Sequence, residues 1–148
     1  MTRTDRVVLS PREVFVRYLR TGLAGDRDAQ VELFAADAIV DFPFAPPGVP
    51  RRFQGREEIR NMLTALEGGT QRAEMRIKEE DSVVLVVHET TNPEVVIAEI
   101  EARVEVGGTG ESLRVPYIQV YRVRDGQIVS FRDYWAAETG EFVKAILA

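Results

Sequence analysis

Apolar residues recur at helical spacing near the start of the chain and at a spacing of two from about residue 72 onward. Val14, Phe15, Tyr18, Leu19, Gly22 and Leu23 form one stripe, the pattern of a helix laid on a core. Ser10-Pro11-Arg12-Glu13 precedes it, a capping box with proline at the first helical position. Gly25 ends this helix, and Asp26 is placed to cap a short second one carrying Val31, Leu33 and Phe34. Ala38 to Phe44 reads as a brief strand, stopped by the proline-rich loop Pro43 to Pro50. A third helix follows Gly55, with Ile59, Met62, Leu63 and Leu66 on one face and Gly68-Gly69 marking its end.

Val83 to Thr90 is strand-like, and Thr91-Asn92-Pro93-Glu94 is a turn. Val96, Ala98, Ile100, Ala102, Val104 and Val106 alternate with Glu99, Glu101, Arg103 and Glu105, which predicts a half-buried antiparallel strand. Gly107 to Glu111 turns into a strand from Leu113 to Arg124. Asp125-Gly126 is a two-residue hairpin signal, and the last strand runs from Gln127 to about Ala136. A closing helix carries Phe142, Val143, Ile146 and Leu147. Helices first and a long meander after them predict an α+β fold, in which a curved antiparallel sheet packs the N-terminal helices on its concave face. Such an arrangement encloses a cone-shaped apolar pocket. With no linker or repeat, residues 1–148 read as one domain.

Length and charge sharpen this picture by exclusion. A chain of 148 residues suffices to bury a single core. A net charge of -5 argues against nucleic acid as partner, since phosphate binding needs a basic face. With no cysteine and one histidine, a zinc site is not expected. The polar N-terminus and the short apolar run Val83 to Val87 suit a cytoplasmic protein without membrane attachment. Glu57-Glu58 and Glu79-Glu80-Asp81 lack the spacing of a calcium loop. Gly107-Gly108-Thr109-Gly110 joins two strands with no lysine after it, so it is a hairpin and not a phosphate cradle. Arg51, Arg52 and Arg56 flank the proline-rich loop as a solvated cluster.

Three stretches, "AGDRDAQVELFAADAIVDFP", "FQGREEIRNML" and "PYIQVYRVRDGQIVSFRDYW", in this order and spacing resemble the SnoaL-like branch of the nuclear-transport-factor-2 (NTF2-like, cystatin-like) superfamily. The third also resembles the phenazine-biosynthesis A/B proteins. The resemblance implies proton-transfer chemistry in a pocket without a cofactor, as in polyketide cyclases, steroid isomerases, epoxide hydrolases and dehydratases. It also implies a homodimer through the outer face of the sheet. Compared with ketosteroid isomerases, Tyr18 falls on the oxyanion-binding tyrosine, but Phe42 falls on the base and Gln119 on the second oxyanion donor. SnoaL-type cyclases place their general acid/base aspartate seven residues after the hairpin glycine, which from Gly126 is Asp133.

Asp133 falls between Phe131 and Trp135, so regular alternation puts all three on one face. A carboxylate among rings is desolvated, its pKa rises, and it becomes suited to proton transfer near neutral pH. The alternative is an exposed Arg132-Asp133 pair at a sheet edge. Tyr18 could donate to a carbonyl or enolate oxygen, or be a core tyrosine with a backbone partner. Gln119 and Tyr117 share a strand face and, with Phe42, Phe131 and Trp135, are expected to line the pocket, Gln119 together with Tyr18 holding a developing oxyanion. His88 is a further candidate proton carrier, although a strand end before a turn equally fits a structural histidine. The expected function is a cofactor-independent acid/base enzyme for a small, apolar, oxygenated metabolite: a cyclase, isomerase or dehydratase of polyketide-like secondary metabolism. The alternatives are epoxide opening, which needs Asp41 or Glu99 turned inward, a non-catalytic small-molecule binding protein, and an interaction protein acting through its outer sheet face.

Overall fold

The computed structural model describes residues 7–77, 83–107 and 109–148. Helix α1 (Pro11–Leu23) starts at the expected capping box: Ser10 Oγ accepts from the Glu13 N–H at 3.2 Å, and Glu13 Oε1 accepts from the Ser10 N–H at 3.3 Å. This satisfies two of the amides that every helix start leaves without partners. Val14 and Phe15 are fully buried, and Tyr18 and Leu19 pack against the same core. Asp26 caps α2 (Arg27–Glu32) by accepting from the Ala29 N–H at 3.2 Å.

Strand β1 (Phe34–Asp41) begins four residues before the Ala38 expected from the sequence. Its register shifts between Phe34 and Ile39. That irregularity breaks the alternation of period two by which a strand is recognised. Strand β2 (Arg52–Gln54) pairs with β1, and three residues beside prolines carry no periodic signal. Helix α3 (Arg56–Arg72) runs straight through Gly68-Gly69, where a stop was expected. A Cβ on Gly69 would lie 2.3 Å from Ile146 Cδ1 of α4 (Ala137–Leu147). Gly69 therefore makes room for a packed helix and does not end its own.

Strands β3 (Met75–Ile77), β4 (Val83–Glu89), β5 (Val95–Val106), β6 (Ser112–Arg124) and β7 (Gln127–Trp135) complete a curved, open sheet. Its order is β2-β1-β7-β6-β5-β3, with β4 also pairing β5. The expected carboxylate run Glu79-Glu80-Asp81 and Gly108 lie outside the described residues. The β6–β7 hairpin turns at Asp125 (φ 51°) and Gly126 (φ 76°). Positive φ at both central residues gives the turn whose twist matches its strands. One pairing departs from the expected antiparallel sheet: β1 runs parallel to β7, with Val40 opposite Phe131 and Asp41 opposite Arg132. These strands come from opposite ends of the chain, so no hairpin constrains their direction.

The expected alternation in β5 holds, with Val96, Ala98, Ile100, Ala102 and Val104 buried. Of these, Val96, Ala98 and Ile100 join Phe15, Phe34, Ile59, Tyr121 and Ile128 in one core between sheet and helices. The fold is the α+β arrangement expected, helices packed against a curved sheet. No helix among the described residues is long and apolar enough to cross a membrane.

Candidate active site

The β6–β7 register assembles the site. Tyr117 lies opposite Trp135, Gln119 opposite Asp133 and Tyr121 opposite Phe131. Side chains two apart on a strand share a face, so these six form a block on the inner side of the sheet. Gln119, Tyr121, Phe131 and Trp135 are buried, and Tyr117 and Asp133 are half-buried. Asp133 therefore faces inward between Phe131 and Trp135, as alternation predicts, and is not an exposed edge residue.

Helices and β1 close the block from above and beside. The Tyr18 ring lies 5.4 Å from Phe131, 5.7 Å from Phe34 and 5.8 Å from Tyr121, measured between centroids. Tyr121 and Phe131 are 4.8 Å apart, and Phe42 sits 4.5 Å from Trp135. Edge-to-face and tilted ring contacts of this kind build an apolar wall.

Within that wall, the Asp133 carboxyl has little to hold its charge. Gln119 Nε2 donates to Oδ2 at 3.5 Å, the long limit of a hydrogen bond. Asp133 Oδ1 is inaccessible to solvent and has no hydrogen-bond partner, and the same holds for Trp135 Nε1. Buried polar atoms are nearly always paired, so two orphans on one face mark the site. Burial raises the Asp133 pKa from 3.8 to about 7, and the Gln119 contact opposes that rise. No cation among the described residues pairs with it.

Three phenols surround this acid. Burial, and after it proximity to Asp133, pushes the Tyr18 and Tyr117 hydroxyls well above the ordinary tyrosine value. Tyr121 is raised as well, first by burial and then by Tyr18 and Asp133. All three remain protonated at neutral pH and can act only as neutral hydrogen-bonding groups. The Gln30 side chain opposes that rise at Tyr18. Gln30 is buried on α2 and accepts from Arg27, which in turn pairs with Glu67.

His88 does not join this cluster. It is exposed, and its Nε2 lies 2.6 Å from Glu99 Oε2 on the outer face. The reason is parity: Ala98 and Ile100 point inward, so Glu99 points out and holds the imidazole with it. Asp41 is likewise engaged, accepting from Arg52 Nε at 2.8 Å. The arginines beside the proline loop are all exposed, as expected of a solvated cluster, and each also holds a neighbouring group. Arg56 Nε donates to the Phe34 carbonyl at 2.8 Å, and Arg51 Nη2 to that of Ala45 at 3.5 Å. Among the described residues no group of three or more His, Asp or Glu is placed to hold a metal ion.

Two participants escaped the sequence reading. Tyr121 follows Gln119 by two on one strand, so periodicity could have found it. Gln30 on a six-residue helix had no such signal.

A curved sheet covered by helices, with an acid facing inward among aromatic rings, is the α+β architecture of this chain. The chain belongs to the SnoaL-like family, whose domain model matches residues 15–131. It is 34% identical over 131 residues to an uncharacterised PhzA/B-like protein of Pseudomonas aeruginosa, covering 86% of this chain and 84% of that one. A Bacillus subtilis protein provisionally described as an isomerase shares the structure with TM-score 0.70 and 29% identity, covering 93% of this chain and 95% of that one. A Mycobacterium tuberculosis protein solved with estradiol-17β-hemisuccinate has the same fold, with TM-score 0.67 at 19% identity, covering 88% of this chain and 97% of that one. Further neighbours of this fold are described as polyketide cyclases and epoxide hydrolases.

Proposed function

We propose that this protein is an acid/base enzyme acting on a small, largely apolar, oxygenated metabolite, with Asp133 as its proton-transfer group. The observation that carries the reading is a lone carboxyl, unpaired by any cation among the described residues, whose pKa of about 7 lies where proton exchange is most efficient. As base, Asp133 takes a proton from carbon next to a carbonyl. Tyr18 donates to the developing enolate oxygen, and Phe42, Tyr117, Phe131 and Trp135 exclude water. Three outcomes follow from that enolate. Asp133 returns the proton to another carbon in an isomerisation. Alternatively the carbanion attacks a second carbonyl in an aldol-type cyclisation, or a β-hydroxyl leaves with the proton as water in a dehydration. None of these steps draws on a cofactor, and a polyketide-like intermediate of secondary metabolism supplies the functional groups for each.

Two rival readings are weaker on specific grounds. Epoxide opening wants a second inward carboxylate to hold water, and Asp41 and Glu99 are both tied up elsewhere. A pure binding protein would neutralise its buried acid with a cation, and none is paired with Asp133 among the described residues. The test is a pH–rate profile on a panel of small polyketide-like ketones. A limb of kcat/KM near pH 7, rising if Asp133 is the initial base and falling if it is the initial acid, is expected. Turnover flat across pH 5.5–8.5 would remove Asp133 from the chemistry.

A second copy of the chain is the partner this reading assigns to the outer face. Val86, Glu99, Ile118 and Tyr134 stand in one row across β4, β5, β6 and β7. Val86 and Ile118 are 43% and 42% exposed, and Leu85 beside them 50%, apolar surface that association would cover. Sedimentation at micromolar concentration is expected to give a dimer; a monomer would count against the assignment.

A further inference from the structure

The two oxygens of Asp133 are not equivalent, and the cause lies two residues beyond Gln119, at Tyr121. The Tyr121 hydroxyl donates to Gln119 Oε1, and Gln119 Nε2 donates to Asp133 Oδ2. We infer that Tyr121, acting through Gln119, holds the Asp133 carboxyl so that Oδ2 accepts from the amide and Oδ1 is the oxygen that carries the exchangeable proton. Gln119 and Tyr121 are then positioning residues of the proposed acid/base site, and the inference rests on that reading.

The argument is a count of donors and acceptors. Tyr121 has no solvent exposure, so its O–H needs an acceptor inside the protein, and Gln119 Oε1 is the one it has. Turning the amide over would present Nε2 to the phenol. It would strand the phenolic proton and leave two acceptors, Oε1 and a carboxylate oxygen, facing each other. A buried donor left unsatisfied is costly enough to fix the amide as drawn. With the amide fixed, Oδ2 always meets an N–H, which favours leaving that oxygen unprotonated. The exchangeable proton therefore resides on Oδ1, the oxygen with no partner. The ring of Tyr121 is braced for this task by Phe15 at 5.3 Å and Phe131 at 4.8 Å.

The test reads Asp133 directly. The carboxyl is followed by carbon-13 NMR through a pH titration in the wild-type protein, in Tyr121→Phe and in Gln119→Met. Gln119→Met removes the one donor to the carboxylate and is expected to raise the titration midpoint by about one pH unit, the value of one modest hydrogen bond. Tyr121→Phe deletes only a hydroxyl and frees the amide to turn, so the midpoint moves in the same direction by about half a unit or more. Should Gln119→Met fail to fold, Tyr121→Phe, whose ring still packs, carries the test alone. An unchanged or lowered midpoint in Tyr121→Phe overturns the inference. The functional reading fails separately: full turnover in Asp133→Asn would sink it even where these midpoints move as expected.

Discussion

Asp133→Asn is expected to lower kcat/KM by about 10²- to 10⁴-fold, the usual contribution of a general acid/base group, while the protein stays folded. Asparagine matches aspartate in size, and its Oδ1 can still accept from Gln119 Nε2 in the place of Oδ2. The aromatic packing of Phe131 and Trp135 on either side does not depend on the charge. What is lost is the ability to take up and return a proton. Because the acid sits on the inner face, the competing account, a structural ion pair at a sheet edge, has lost its geometric basis. That account would limit the effect to about 0–1 kcal/mol of stability with turnover intact. Rate and melting temperature measured on one variant separate the two. A folded Asp133→Asn protein with wild-type turnover would end the mechanism, and His88 on the outer face could not inherit it.

What the sequence disclosed follows from how each feature is encoded. The inner face of the sheet was legible where alternation is regular, along β5 and along the Tyr117–Tyr121 and Phe131–Trp135 stretches, whereas the register between them shifts once between Arg122 and Val123. A spacing of two puts Phe131, Asp133 and Trp135 on one face, but that this face is the inner one depends on the bulge that leaves both Ile128 and Phe131 buried. The start of β1 was hidden by its irregular register, and the length of α3 by a glycine pair whose purpose lies on another helix. Gly69 is read as a stop only by someone who cannot see Ile146 above it. The parallel pairing of β1 with β7 is a contact between distant segments, which local pattern does not encode. His88 was ambiguous for a different reason: Val86 follows Val84 across a register shift, so parity along β4 could not be counted through to residue 88. The glutamines were underrated because an amide's role depends on its partners. Gln119 read as a lining residue becomes, beside Tyr121, the holder of the acid.

The same burial that prepares Asp133 for proton transfer makes it a burden on the fold at high pH, and this gives the second large expected effect. Its pKa is about 7 in the folded protein against an ordinary 3.8. Between these values the native state keeps a proton that the unfolded chain has released, so the unfolded state binds fewer protons and stability falls as pH rises. The contribution is fully present below about pH 4, is lost progressively up to about pH 7, and is flat beyond. Three pH units correspond to about 4 kcal/mol; with the side chain only half-buried, about 2–4 kcal/mol is the range expected. Asparagine has no such term. Its Nδ2 in the place of Oδ1 leaves a buried donor unpaired, at about 1–3 kcal/mol, at every pH. Asp133→Asn should therefore melt at or below wild type at pH 4.5, and the gap should close or reverse by pH 8.5. At about 3 °C per kcal/mol for a chain of this size, the difference between the two melting temperatures moves by about 6–12 °C across that range. Because all other carboxylates are common to both proteins, their titrations cancel in the difference. A melting-temperature gap that stays constant from pH 4.5 to 8.5 would show that Asp133 ionises as freely in the folded protein as in the unfolded chain. It would then lack the poise that proton transfer at neutral pH requires.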